Sequence, residues 1–210
     1  MKLELVAFDV NETLVSLDRV SNRLPSGAFE VWFARILRDG FALAATGRYA
    51  PFRELAASHL ELVAPEADAN EILGELRRLD AHPDVRPAFE RLRSIGVRIV
   101  TLTNGQAETV EAILAHNQLE GYVERCFSAD EVRAWKPRRE PYELVAKATG
   151  VGPNRIGFVA VHSWDVHGAK LAGLQTGWCS RLEGSFGHGF LQADVFGEDL
   201  VEVVEGLLAA

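Results

Sequence analysis

Leu3, Leu5, Val6, Ala7 and Phe8 form a short apolar run that stops at Asp9. A run of this length without alternation is the pattern of a strand buried on both faces. From residue 15 the pattern changes. Residues 15–26 are a polar connection containing Asn22, Pro25 and Ser26. Beyond it Phe29, Trp32, Phe33, Ile36 and Leu37 recur at helical spacing, with Ser26 placed to cap the helix and Gly40 placed to end it. Residues 41–46 can continue helically as far as Gly47, and Pro51 opens a further helix to residue 62. Another runs from 68 to 79, with Ile72, Leu73 and Leu76 on one face. Residues 15–79 thus predict a helical, strand-free stretch.

After His82-Pro83 helix and strand alternate. Helices are expected over 85–95, 107–116, 142–149, 165–172 and 199–208. Strands are expected over 97–102, 126–128, 156–161 and 175–179, with an edge strand at 195–196. Ser128 caps a short turn, and Gly96, Gly150 and Gly173 stand where helices stop. Repeated β–α units imply a parallel sheet covered on both faces. The expected fold class is α/β: a Rossmann-like parallel-sheet core from residues 1–14 and 80–210, with residues 15–79 inserted as a helical cap. An insert at a strand's carboxyl end lies over the ligand site and can serve as a lid.

Composition narrows the partners. Among 210 residues 48% are hydrophobic and 25% charged, an ordinary globular profile. The net charge of −8 argues against nucleic acid or an anionic membrane as partner, and an anionic substrate would need locally placed cations. Cys126 and Cys179 are too few for a disulfide framework or a zinc site and read as reduced core residues of a cytoplasmic protein. The first residues lack the pattern of a signal peptide, and no apolar run reaches membrane-span length. A small-molecule substrate is the expected partner, and a homodimer is left open.

Polar groups gather where the predicted strands end: Asp9 with Asn11, Glu12 and Thr13; Thr103-Asn104; Lys136; and His162 with Asp165. In one parallel sheet these points open onto a single edge, where α/β sheets place ligands. Lys136 can then hold Asp9 ionised, an ionised carboxylate is a competent nucleophile, and Asp165 can fix the Lys136 ammonium or a metal. Taken singly, each has a plainer reading. Asp9 to Thr13 could be a helix cap, Lys136 a surface lysine before a proline turn, His162 a structural histidine, and Trp164 and Tyr142 packing residues. The other histidines follow no ligand spacing.

In their order, Asp9 with Thr13, then Thr103, Lys136-Pro137 and Asp165 resemble the haloacid dehalogenase superfamily over nearly the whole chain. The resemblance implies that Asp9 attacks the substrate, forms a covalent aspartyl ester, and is released by water, with Thr103 and Lys136 positioning substrate and balancing charge. The type II 2-haloacid dehalogenases are similar in more detail. Thr103-Asn104-Gly105 resembles their Ser-Asn-Gly turn, the spacing of Lys136 to Tyr142 matches, and Trp164-Asp165 resembles their last motif. That branch implies no metal and no cofactor. A phosphatase of the superfamily would carry acids where this chain has Asn11 and Val161, two defects in a Mg²⁺-dependent mechanism. That phosphatase, and a catalytically silent ligand-binding member, are the alternatives.

Departures from the dehalogenase pattern shape the remaining expectations. Phe33 stands where the substrate-recognising cap arginine belongs, Glu12 where glycine is usual, and Ala160 and His162 replace a serine and an asparagine. Arg35 and Arg38 fall off the Phe33 face of their helix. Phe33, Asn11, Tyr142 and Trp164 are therefore expected to contact substrate, with an apolar substrate portion beneath Phe33. His162, titrating near its ordinary value of about 6.5, is expected to orient or activate the hydrolytic water in place of the missing amide.

Overall fold

The computed structural model describes residues 3–210; Met1 and Lys2, at the head of the expected core, lie outside the described residues. Strand β1 (Leu5–Phe8) is followed by helices α1 (Asp18–Ser21), α2 (Ala28–Ala45), α3 (Phe52–Val63) and α4 (Ala69–Glu75). The chain then alternates through α5 (Val85–Ser94), β2 (Arg98–Thr103), α6 (Ala107–His116), β3 (Arg125–Ser128), α7 (Arg139–Thr149), β4 (Ile156–Ala160) and α8 (Ser163–Leu171). It closes with β5 (Gln175–Cys179), β6 (Val195–Gly197) and α9 (Leu200–Ala209).

The six strands form one parallel sheet in the order β3-β2-β1-β4-β5-β6. The chain builds outward from β1 to β3, then returns to the other side of β1 for β4. This reversal opens a crevice at the carboxyl ends of β1 and β4, the usual ligand position in such sheets. Alternate residues feed two cores. Leu5 and Ala7 join Val100, Phe158 and Tyr142 on one face. Val6 and Phe8 join Ile99, Phe89 and Val203 on the other. The second core continues without a break into Trp32, Ile36, Phe52 and Leu60 of α2 and α3.

The helical stretch leaves and re-enters the sheet side by side: Val15 pairs antiparallel with Ala81, and Leu14 O accepts from His82 N at 2.9 Å. Two indoles then fix its geometry. Trp32 Nε1 donates to Ala56 O (2.8 Å), tying α2 to α3, and Trp135 Nε1, from the segment before α7, donates to Ala50 O (2.8 Å). Among the described residues, no helix is long and apolar enough to cross a membrane.

Three local expectations are corrected. Gly40 does not end α2; it is buried in mid-helix, where a Cβ would overlap the Trp135 ring. Close approach of the two elements, not chain termination, requires a glycine there. Ser26 makes no side-chain cap, because Gly27 occupies the cap position with φ +74°. Residues 15–26 are not simply a polar connection, since they include α1 and bury Val20 and Leu24.

Candidate active site

Asp9 follows the last residue of β1 and is locked to the neighbouring strand by its own N–H, which donates to Val159 O at 3.0 Å. The chain then turns sharply, with Glu12 at φ +64°, and brings Thr13 back over the carboxylate. Thr13 Oγ1 donates to Asp9 Oδ2 (2.8 Å) and accepts from Val161 N (3.1 Å), so one hydroxyl joins the ends of β1 and β4.

Lys136 arrives from the segment before α7 and is only 1% exposed. Its Nζ donates to Asp9 Oδ1 (2.7 Å), Asp165 Oδ2 (2.6 Å) and Leu102 O (3.0 Å), which uses all three ammonium hydrogens. Asn104 Oδ1 accepts from Lys136 N (2.8 Å) and fixes the backbone that delivers it. Thr103 Oγ1 accepts from Gly105 N (2.9 Å), holding the turn after β2. Asp165, in the first turn of α8, is fully buried.

The charges are mutually dependent. Burial opposes the Lys136 ammonium, but Asp165 and Asp9 outweigh it and raise its pKa. Burial also opposes ionisation of Asp9, yet Lys136 and then His162 hold its carboxyl well below the usual range. Asp165 is the weaker acid of the pair. Burial lifts it, Lys136 recovers part of that, and the like charge of Asp9 adds more, so it is pushed up to about 6.

Tyr142 is a correction to the expected substrate contacts. It is fully buried, and its hydroxyl donates to Asp165 Oδ1 at 2.5 Å, with its ring edge-on to Phe158. Burial and the Asp165 charge raise its pKa well above the ordinary value, so it remains a phenol and a donor. It supports the carboxylate that supports Lys136, and it does not line the cleft.

The other expected contacts do meet. A narrow pocket lies in front of Asp9, bordered by Asn11, Thr103, Asn104 and His162 at the sheet edge. Phe33, Leu37 and Phe52 close it from the helical stretch, with Trp164 at the side. Phe33 is held by stacking on Phe29 (5.8 Å, 10°), and Trp164 by an edge contact with Phe41 (5.0 Å).

His162 departs from the near-neutral titration expected of it. Its Nε2 lies 2.9 Å from Glu12 Oε2, and its Nδ1 3.7 Å from Asp9 Oδ2. Burial disfavours the imidazolium, but two flanking carboxylates outweigh it and raise the pKa to about 10. Two residues to which the sequence pattern assigned no role also border the site. Glu12 is the partner of His162. Arg53, in the first turn of α3, lines an adjoining pocket that shares Asn11, Phe52 and Thr103 with the first. The signal for Arg53 was its place in the first turn of the helix that Pro51 opens.

Among the described residues, no group of three His, Cys, Asp or Glu side chains is arranged to hold a metal ion. The donor set between Asp9 and Asp165 does not fit one either, because the Lys136 ammonium already bridges them and would repel a second cation.

A doubly wound parallel sheet with a charged, buried cluster at its reversal point gives the protein a Rossmann-like α/β fold. A family model of haloacid dehalogenase-like hydrolases matches residues 3–173. The chain is 32% identical over 199 residues to haloacetate dehalogenase H-2 of Moraxella sp. (strain B), covering 88% of this chain and 89% of that one. It is 27% identical to (S)-2-haloacid dehalogenase 2 of Pseudomonas sp. (strain CBS-3), covering 96% and 91%. Its fold matches the L-2-haloacid dehalogenase of Xanthobacter autotrophicus with a TM-score of 0.88 at 22% identity, over 98% of each chain. The chain belongs to the haloacid dehalogenase-like hydrolase family, and it is a hydrolase of that family.

Proposed function

We propose that the protein displaces halide from a 2-haloacid, with Asp9 as nucleophile and without a metal. The observation that carries this is the seating of Asp9: oriented by Thr13 and the Lys136 ammonium, and bordering a pocket with apolar walls. An Asp9 carboxylate oxygen bonds to the substrate carbon as the carbon–halogen bond breaks, and halide leaves with the bonding pair. Water then adds to Asp9 Cγ, the Cγ–O(alkyl) bond breaks, and the hydroxy acid leaves. The sum is RX + H₂O → ROH + X⁻ + H⁺. Lys136 keeps Asp9 ionised before attack, and Asp165 with Tyr142 keeps Lys136 in place. Residues 15–79 act as a cap over the core of 1–14 and 80–210, with the paired chains at Val15 and Ala81 as its neck.

Substrate selection follows the walls. Phe33 supplies no charge, while Arg53 stands in the adjoining cavity beside Leu73 and Leu76. This combination favours a 2-haloacid with an apolar chain over haloacetate itself. The test is turnover of 2-bromohexanoate in chelator. Wild type is expected to release bromide at a rate unchanged by Mg²⁺, and Asp9→Asn to release none. Activity that vanishes in chelator and returns with Mg²⁺ would favour the phosphatase-type site instead.

A further inference from the structure

Glu12 and His162 stand at two positions where this chain departs from the dehalogenase pattern, and they depart together. Glu12 comes from the turn after β1, and His162 from the end of β4, 150 residues later. Their contact is direct, at 2.9 Å between Oε2 and Nε2. His162 is therefore oriented by a carboxylate on one ring nitrogen, and the other nitrogen faces Asp9. That second nitrogen, Nδ1, is buried and has no hydrogen-bond partner among the described residues, and at 3.7 Å its contact with Asp9 is electrostatic. Trp164 packs beside the ring, with centroids 5.3 Å apart and planes tilted by 33°.

We propose that esterification of Asp9 turns His162 into the base that hydrolyses the ester, with Glu12 as its positioning residue. This rests on Asp9 being the nucleophile. In the free enzyme Asp9 and Glu12 both hold the imidazolium, so His162 is no base at that stage. Forming the ester removes the Asp9 charge, one of the two supports for that proton. The remaining facing groups are Glu12 and, beyond the esterified Asp9, the Lys136 ammonium paired with Asp165. Glu183 is engaged with Ser163 N at 3.0 Å, and the helices over the cleft present only Phe33, Leu37 and Phe52 to the cavity. His162 then gives its proton to solvent. Glu12 provides the route, since it also lines a separate, solvent-open cavity with Asp18 and Glu30.

The hydrolysis balances through one nitrogen. Nδ1 takes a proton from water as the water oxygen bonds to Asp9 Cγ, and the carbonyl π pair moves onto oxygen. The tetrahedral species collapses by breaking the Cγ–O(alkyl) bond. The leaving alkoxide takes the proton from His162, and the new Asp9 carboxyl returns its own proton to Nδ1. The Asp9–His162 ion pair is thereby restored, and one proton has been released per turnover. A carboxylate-oriented imidazole serving an acyl carbon in this way uses the same division of roles as the triads of acyl-transfer enzymes. The free enzyme keeps the nucleophile anionic beside a cation, and the ester intermediate converts that cation to a base.

The test is rapid-quench reaction of the full chain with 2-bromohexanoate, following bromide release and the mass of the Asp9 peptide. His162→Ala and His162→Leu are expected to give a stoichiometric bromide burst and then accumulate the Asp9 adduct, with hydrolysis slowed about 100-fold, the low end of general-base catalysis. In wild type, ester hydrolysis should rise with pH to a plateau, and this limb should be absent in both variants. Glu12→Gln should shift the limb to lower pH and lower the plateau, since a lost carboxylate weakens the base; a purely structural role would leave the limb where it is. A burst followed by hydrolysis at the wild-type rate and pH dependence in the His162 variants would overturn the assignment while leaving Asp9 as nucleophile. No burst and no Asp9 adduct in any form, wild type included, would overturn both.

Discussion

Phe33 sits in the wall that faces Asp9, and its chemistry sets what can lie there. A phenyl ring stacked on Phe29 offers dispersion contacts and no hydrogen-bond donor. A short haloacid such as chloroacetate has little apolar surface to place against it. Weak or absent chloroacetate turnover is expected from wild type, and Phe33→Arg should raise it about tenfold by holding the carboxylate at the cavity wall. Robust wild-type turnover of chloroacetate, unaffected by Phe33→Ala, would show that the anion is held elsewhere. Tyr142 illustrates the opposite outcome at this scale. Its spacing from Lys136 suggested a substrate contact, but a phenol in a fully buried site must find an acceptor, and Asp165 is the acceptor it has.

At the scale of elements, α2 carries Phe33, and its seating depends on Gly40. The helix passes against Trp135, which is itself one residue before Lys136, so the same contact couples the roof of the cavity to the charged cluster. Gly40→Ala gains helix propensity but forces a methyl group into the indole ring. The steric loss is expected to win, with unfolding in urea showing destabilisation of about 1–3 kcal/mol and KM rising as α2 shifts. Equal or greater stability would mean that the ring yields and that Gly40 is not needed for packing. The strands and most helices were legible in the sequence because each carries its own periodicity and its own stop. Gly40 misled because a glycine in mid-helix and one at a helix end look alike until the neighbour is known. The strand-end cluster of Asp9, Thr103, Lys136 and Asp165 was legible because parallel topology alone brings those ends together. The Glu12–His162 contact was not, since both positions were noted only as departures and nothing local to either shows that they meet across 150 residues. The charge on His162 followed from that contact, which is why its near-neutral titration was misjudged.

On the scale of the whole molecule, the sheet reversal and the paired neck of the helical stretch serve one arrangement. The core fixes the charges to within hydrogen-bond distances, and the helical stretch supplies an apolar wall over them. The central claim is that Asp9 becomes covalently bound during turnover, and isotope position tests it most directly. A single turnover of 2-bromohexanoate with excess enzyme in ¹⁸O-water is followed by proteolysis and mass measurement. The account predicts one ¹⁸O in the peptide carrying Asp9 and an unlabelled hydroxyl in the product, because water attacks Asp9 Cγ and the product keeps the old carboxylate oxygen. Label in the product hydroxyl, with none in the Asp9 peptide, would mean that water displaces bromide directly and would contradict the account.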